Sequence, residues 1–580
     1  MTSESNLALE KTIGYDGGIF LHPTFKRSPM VIPRYLLFTL LCLLAIPARA
    51  APPLSAQVDR LVEAQAPGKL AGVAEDAEFL RRVWLDLAGI VPPVDQVRAF
   101  LADKGRQKRE KVIDQLLSSE EYPRRMREAF TVMLLERRTG ATVPDEEWNS
   151  FLESSFGENK PWDQFARELI QADGADEKTR GSVKFFTTSG RTSHDQMTQD
   201  VGRLLLGMNI HCAKCHDHPN VEQYKQADYF GLLAFLNQST VAKHGTLQKS
   251  FLVEKVATGK LDFESVFFPG EKKQSGPRLP GGEEVEIPTF EKGEEFSEPA
   301  ANGLPGVPKF RPRQLLAEKL TAATNRRFVQ NSVNRFWFLM MGRGLVEPLD
   351  MLHDANPASH PELMTLLSDE FVAHQFDVKW LLRELALSET YQRSSVFPKG
   401  VTSKDAPPHS YQVANARGLT PEQMAWSMMR VTGVLERIVR TPRPEDSAFT
   451  FKDYINGRIP APDNLADTML LFTSVFGNPP GEAEVEFQPS MGQALFLMNE
   501  QLVLDWLKPS EGNLVDRLVK LEDAKKITEE LYLQVLGRFP LEEEVVEVVT
   551  HLEENRERFT EAISEYAWAL VTSAEFKLNH

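Results

Sequence analysis

"EFLRRVWLDLAGIVPPVDQVRAFL", residues 78–101, sets the architecture. Phe79, Val83, Trp84 and Leu87 recur at helical spacing, which gives one apolar face. Gly89 stops that helix, because a C-terminal turn favours a residue without a Cβ, and Pro92 and Pro93 open the next. Residues 107–135 and 161–172 repeat the style, so the chain reads as helical from 54 to about 240. From about 246 to 312 the character changes. "FESVFFPGEKKQSGPRLPGGEEVEIPTF" (263–290) is rich in Gly, Pro and Glu, and predicts a long loop with a few short strands laid over the helical body. Helices resume at 311 and continue to the end, interrupted by a Pro- and Asp-containing stretch near 441–465. "YLQVLGRFPLEEEVVEVVTHL" (532–552) echoes the Gly89 region, a helix, a Gly, a Pro and a second helix, too irregularly for a solenoid. The fold class expected is mainly α. The divisions are a leader at 1–50, a helical domain at 51–245, a loop and short-strand insertion at 246–310, and a helical C-terminal domain at 311–580.

A chain of 580 residues is too long for one hydrophobic core and is expected to split into two to four domains, and its composition is ordinary globular, with 42% hydrophobic and 26% charged residues. The formal net charge of −16 argues against nucleic acid as a partner, which needs clustered Lys and Arg. There is no phosphate-cradling Gly-rich loop and no Gly-x-Ser-x-Gly nucleophile turn, so the sequence assigns no enzyme class. Arg34 precedes the apolar run "YLLFTLLCLLAI" (35–46), and Ala48 and Ala50 form a small-x-small end, which together make a secretory signal. The expected mature chain starts at Ala51, and either Met1 or Met30 serves as the start codon. The run is short for a membrane span of ~20 residues, so membrane attachment is expected only through an uncleaved leader. The protein is expected to be exported, to the periplasm or the cell surface. Oligomeric state is not readable.

Beyond Cys42 in that run, the chain has only Cys212 and Cys215, both within "HCAKCHDHP" (211–219). Two cysteines in one C-x-x-C do not make a disulfide framework, so the thiols are kept for chemistry. Upstream, "SHDQMTQDVGRLLLGMNI" (193–210) reads as one amphipathic helix with a Ser193/Gln196 capping box. Downstream, "EQYKQADYFGLLAFL" (222–236) reads as a second, with Tyr229, Leu232, Leu233 and Leu236 inward.

Three readings of the motif stand. C-x-x-C-H is the attachment pattern of haem c, with Cys212 and Cys215 as thioether anchors and His216 as the proximal iron ligand. Zinc is the alternative cofactor, held by Cys212, Cys215, His216 and His218, although one short segment crowds a tetrahedral ion. A redox dithiol is the third, and leaves His216 and His218 without a role. No Met occurs between His216 and Met340, so a sixth iron ligand would come from His244, His194, Met208, His353 or His360, or the site is five-coordinate.

"LLLGMNIHCAKCHDHP" followed by "YKQADYFGLLAFL", with "FLRRVWLDLAGIVPP" before and "SVFFPGEKKQSGPRLPGGEEVEIPTFEKGEE" after, resembles the planctomycete-type cytochrome c domain, a domain of unknown function. "NSVNRFWFLMMGRGLVEPLD" (331–350), "NPASHPELM" (356–364), "WLLRELALSETYQRSS" (380–395) and "QALFLMNEQLV" (493–503) resemble the C-terminal domain with which it is usually paired. The resemblance implies an exported, largely helical protein in which Cys212, Cys215 and His216 take the haem role. It also implies a setting, since members are often encoded beside exported sulfatase-like proteins of polysaccharide-degrading bacteria. An exported sulfatase-like protein is therefore the expected partner. The function implied is electron transfer or haem-dependent chemistry linked to extracellular polysaccharide breakdown. A metal-stabilised scaffolding component of such a system is the alternative. Tyr224 stands where many members have Trp.

The C-terminal motifs read as structure. Asn334, Arg335 and Trp337 lie in a helix that stops at Gly342-Arg343-Gly344, and Arg335 and Arg343 are expected in structural ion pairs, with a haem propionate or a sugar carboxylate as the alternative partner of either. Ser359 is expected to cap the helix opened by Pro361, with Asn356 and His360 in the loop before it.

Overall fold

The fold-deciding stretch folds as read: Asp76–Leu87 is a helix, Gly89 follows it at φ 71°, and Val94–Ala102 is the next helix. A computed structural model describes residues 52–580 apart from Ala141, 189–192, 446–447, Gly457 and 484–489. The expected leader, with its apolar run and the choice between Met1 and Met30, lies outside the described residues. Among the described residues, no helix is long and apolar enough to cross a membrane. The protein is mainly α, and its strands pair only in short two-stranded sheets.

Residues 53–580 form one unit, and among the described residues one large hydrophobic core runs from Leu54 to Phe576 beside a small cluster of Ala71, Ala406 and Val413. Helices from the two expected halves interlock. Pro312–Leu320 packs on Trp162–Gln171, and Val378–Leu387 packs on both Lys108–Leu117 and Leu54–Gln65. Trp162 stands at the join. Its ring centroid lies 5.2 Å from Phe130, 4.8 Å from Phe165 and 5.1 Å from Phe336, and its Nε1 donates to Ser332 Oγ at 2.8 Å. Such aromatic pairs add about 0.5–1.5 kcal/mol each beyond burial of their area.

Arginines complete the join. Arg313, fully buried, donates to the carbonyls of Ile170, Ala172 and Leu252 at 2.6–2.9 Å, so it closes a helix end and a strand from a third element. Within the opening stretch, Arg81, Arg82 and Asp86 are buried alongside the apolar face. Their partners explain it: Arg81 donates to Phe576 O, Arg82 to Tyr391 O and Arg393 O, and Asp86 accepts from Tyr391 Oη, Asn579 Nδ2 and Arg417. The polar face of this helix holds the C-terminal segments instead of meeting water.

The Gly/Pro/Glu-rich segment carries short strands as expected, but its first hairpin begins before residue 246. Ser239–Lys243 pairs antiparallel with Ser250–Glu254, with Ser239 opposite Glu254. Leu261–Phe263 pairs with Lys273–Ser275, and Phe296–Glu298 with Val307–Pro308. This segment covers the outer face of the helix Gln226–Leu236, where Phe230 stacks on Phe263 at 4.7 Å and Arg278 pairs with Asp228 at 2.8 Å. Gly231 is required there, because a Cβ would collide with the Arg278 side chain.

Candidate functional site

The helix leading into the motif is not the single regular helix the sequence suggests. Ser193 caps it by accepting from Gln196 N, it runs as α from His194 to Asp200, and then Val201–Leu205 widens into a π-helical turn. Two residues of the helix Arg326–Met341 take carbonyls of that turn: Asn331 Nδ2 donates to Leu204 O at 2.8 Å and Arg335 Nη2 to Arg203 O at 2.9 Å. Gly202 lies against Ile210 and the Met208 carbonyl, and Met208 N returns to Gly202 O at 2.8 Å. Single π-helical turns of this kind recur beside functional sites.

Cys212–Lys214 then forms one 3₁₀ turn, with Cys215 N donating to Cys212 O at 3.2 Å and His216 N to the same oxygen at 3.4 Å. In a 3₁₀ turn residues three apart eclipse, so Cys212 and Cys215 present their side chains to one side. Both thiols are free and exposed, while Ala213 between them is buried and anchors the turn.

His216 is half-buried. Its Nδ1 lies 2.7 Å from Asp217 O, and since a carbonyl only accepts, Nδ1 carries a proton, which in the neutral ring puts the lone pair on Nε2. No group among the described residues bonds that Nε2. The ring lies 4.7 Å from the ring of Phe267. Val266, Phe267 and Phe268 are 60%, 65% and 59% exposed, an apolar patch pinned to the motif where Val266 N donates to Cys215 O at 3.0 Å. Exposed aromatic surface of this kind marks a place where something binds.

His218 is engaged differently. Its Nδ1 accepts from Asn220 N and Val221 N at 3.2 and 3.0 Å, which makes it a turn-forming side chain with its proton on Nε2. Among the described residues, no group of three or more His, Cys, Asp and Glu side chains is placed to hold a metal ion, so Cys212, Cys215, His216 and His218 are not gathered as a zinc cage.

Four elements hold the motif. Lys214 pairs with Asp195, and His211 Nδ1 meets Gln199 Oε1 at 3.0 Å, both from the incoming helix. Asp195 also accepts from Tyr229 Oη at 2.7 Å, and its carboxyl sits below the usual range: burial opposes this, but the Lys214 and Tyr229 hydrogen bonds outweigh it. Gln226, buried at the start of the outgoing helix, donates through Nε2 to Lys214 O at 3.3 Å and Glu264 O at 3.0 Å, and through its backbone N to Asp217 Oδ1 at 2.8 Å. The fourth element is the C-terminal segment 350–354. Asn209 N donates to Asp350 O and Leu352 N to Gly207 O, each at 2.8 Å, and Asp354 bonds Gln223.

That segment brings one of the five sixth-ligand candidates alongside. Tyr224 stands between His218, at 5.8 Å, and His353, at 5.5 Å. Both ring nitrogens of His353 are enclosed without a hydrogen bond, and burial, then His218 and Arg327, push its pKa down. His353 is therefore held neutral. The others are committed elsewhere. His194 Nε2 bonds Ser239 O at 2.7 Å, Met208 is wholly buried in the core, and His244 Nδ1 accepts from Thr246 N and Leu247 N. His360 packs 5.5 Å from Tyr411, whose hydroxyl bonds Gly344 O.

The readings of Arg335, Arg343 and Ser359 change. Among the described residues neither Arg335 nor Arg343 forms an ion pair; Arg335 serves the π turn and Asn331 Oδ1, and Arg343 Nε is buried without a hydrogen bond. Ser359 does not cap the following helix, because it lies before the N-cap residue His360, and its hydroxyl meets His360 Nδ1 at 3.1 Å. Asn334 is structural as read, exchanging both amide bonds with the Val346 backbone. The sequence reading did not single out Gln226, Asp195 or the Val266–Phe268 patch as parts of the site. The patch did leave a signal, three consecutive apolar residues inside a Gly/Pro/Glu-rich stretch.

The fold and site define a mainly helical protein in which a C-terminal helical segment buttresses a surface C-x-x-C-H turn. Residues 57–241 match the family PSCyt2, a protein of unknown function (DUF1549), and residues 312–552 match PSD1, a protein of unknown function (DUF1553). The chain belongs to the proteins that pair these two domains. No curated protein and no solved structure matches it.

Proposed function

We propose that the motif binds haem covalently, with Cys212 and Cys215 as thioether anchors and His216 Nε2 as proximal ligand, and that the protein works by redox chemistry outside the cytoplasm. The observation that carries this reading is the His216 ring: Nδ1–H is spent on Asp217 O and Nε2 is left unpaired beside two exposed thiols of one turn. Metal-ligating histidines commonly fix their orientation through the second ring nitrogen in this way. Val266, Phe267 and Phe268 supply apolar surface next to the anchors, as a flat hydrophobic group needs. Bound there, haem supplies a one-electron couple. The residues of this chain hold it, keep the proximal ring in one tautomer, and shield one side of the turn.

Export through the 1–50 leader accompanies this reading, because covalent haem attachment takes place outside the cytoplasm. So does an exported sulfatase-like partner in polysaccharide breakdown, which rests on the family setting alone. The test is haem staining of denaturing gels of protein matured with a working cytochrome c assembly system, beside visible spectra. Wild type should stain and show a Soret band. His216→Ala should alter the band, whereas His218→Ala should alter it much less, since His218 serves its own turn. Colourless protein carrying about one equivalent of zinc would overturn the haem reading.

A further inference from the structure

A cavity of about 290 Å³ opens between the helix Glu121–Leu135, the end of Arg326–Met341 and the start of Pro421–Thr432, with Leu204 of the π turn in its lining. Ala129, Leu204, Phe338 and Leu349 are among its apolar walls, and three arginines, Arg125, Arg335 and Arg417, also line it. Arg417 is neutralised by Asp86 and also donates to Leu339 O at 2.6 Å. Arg335 is occupied by Asn331 and Arg203 O, as above.

Arg125 is different. It is 4% exposed, and its one hydrogen bond is a long one, Nε to Asp86 O at 3.4 Å. Its terminal nitrogens donate to nothing among the described residues. Among the described residues, Glu136 pairs with Arg138 and Arg203, Glu422 with Arg137, Asp350 with Arg203 at 4.0 Å, and Glu128 with Arg127 through one oxygen, its other oxygen being buried without a hydrogen bond. Burial pushes the Arg125 pKa down and the neighbouring Arg417 adds to this, with Asp86, Glu128 and Glu422 offsetting part of it. A buried guanidinium whose terminal nitrogens make no hydrogen bond is costly even with carboxylates nearby. The fold also makes room for it. A Cβ on Gly89 would sit 2.8 Å from Arg125 Cδ, so the glycine that stops the Asp76–Leu87 helix also lets this side chain pass.

We infer that this cavity is a binding site for a small organic carboxylate, its oxygens on the Arg125 terminal nitrogens and its apolar body against Leu204, Phe338 and Leu349. A planar guanidinium fork matches a carboxylate in two parallel hydrogen bonds. The cavity volume suits a ligand of one ring or a short chain.

The test is calorimetric titration of the full mature chain with benzoate and with its neutral isostere benzamide. Benzoate should bind saturably at about 10 mM or below and benzamide at least about tenfold more weakly, the difference a charge-assisted pair supplies. Arg125→Met should abolish the preference for benzoate without lowering the melting temperature of the free protein, since it removes an unpaired buried charge. Ala129→Phe, which fills the cavity and keeps the arginine, should weaken benzoate equally. Equal affinity for both probes, no benzoate binding in that range, or unchanged binding in Ala129→Phe would overturn the inference. The last of these decides even where Arg125→Met fails to fold.

Discussion

Gln226 does more for the C-x-x-C-H turn than any residue in it except the three that define it. Its amide joins the Lys214 carbonyl to the Glu264 carbonyl, and its backbone N holds Asp217, whose own carbonyl orients His216. Gln226→Leu keeps the volume and removes the donor shared by those two carbonyls, at a cost of about 1 kcal/mol. Haem incorporation per chain should fall while Cys212 and Cys215 remain intact, and unchanged haem content on absorbance per mole would count against the positioning role. His360 gives a second prediction at this scale. Burial, and the nearby His409, lower its pKa from 6.5 to about 4, so the folded protein holds it neutral while the unfolded chain protonates it. The sign follows: its contribution to stability is present above pH 6.5 and is lost as pH falls towards 4. His360→Gln should therefore lose less melting temperature than wild type between pH 7 and pH 5, and parallel losses would show that other groups set the acid limb. Cys212, Cys215 and His216 could be singled out together because they lie in one five-residue stretch of the chain, which folds into a single turn. Gln226, Phe267 and His353 could not, because their roles come from contacts between segments far apart in sequence.

At the level of elements, the helices around Gly89 could be read from spacing, Gly and Pro alone, whereas the π turn at Val201–Leu205 could not. Its cause lies in Asn331 and Arg335 on another helix, and local periodicity carries no trace of them. The insertion was legible in kind but not in its edge, since the strand Ser239–Lys243 is defined by its partner Ser250–Glu254 and not by its own composition. Within the insertion, exposure is uneven: 281–304 is largely exposed, while Ser275, Gly276 and Pro277 are buried under the Arg278–Asp228 contact. Limited proteolysis should therefore cut first within 281–304 and spare 275–278. First cuts inside the flanking helices Gln226–Leu236 or Pro312–Leu320 would contradict that order.

Across the whole molecule, the halves that composition separates are joined by buried charge. Asp86, with no exposed surface, gathers Tyr391, Arg417 and Asn579 onto the first helical segment. The sequence shows Asp86 only as one polar residue on an amphipathic helix, because its partners lie hundreds of positions away. Asp86→Ala leaves Arg417 without its counter-ion and should cost about 3–5 kcal/mol. In urea unfolding, this should lower the midpoint of one transition reported alike by probes on either half; a loss confined to one half would mean that the halves unfold separately. The proposed export and haem attachment meet in a single experiment, intact-mass spectrometry of denatured protein purified from a host with a working cytochrome c assembly system. The predicted species is the chain beginning at Ala51 plus one haem, reduced to the bare chain when Cys212 and Cys215 are both replaced by alanine. A bare wild-type mass from that host would contradict the haem assignment.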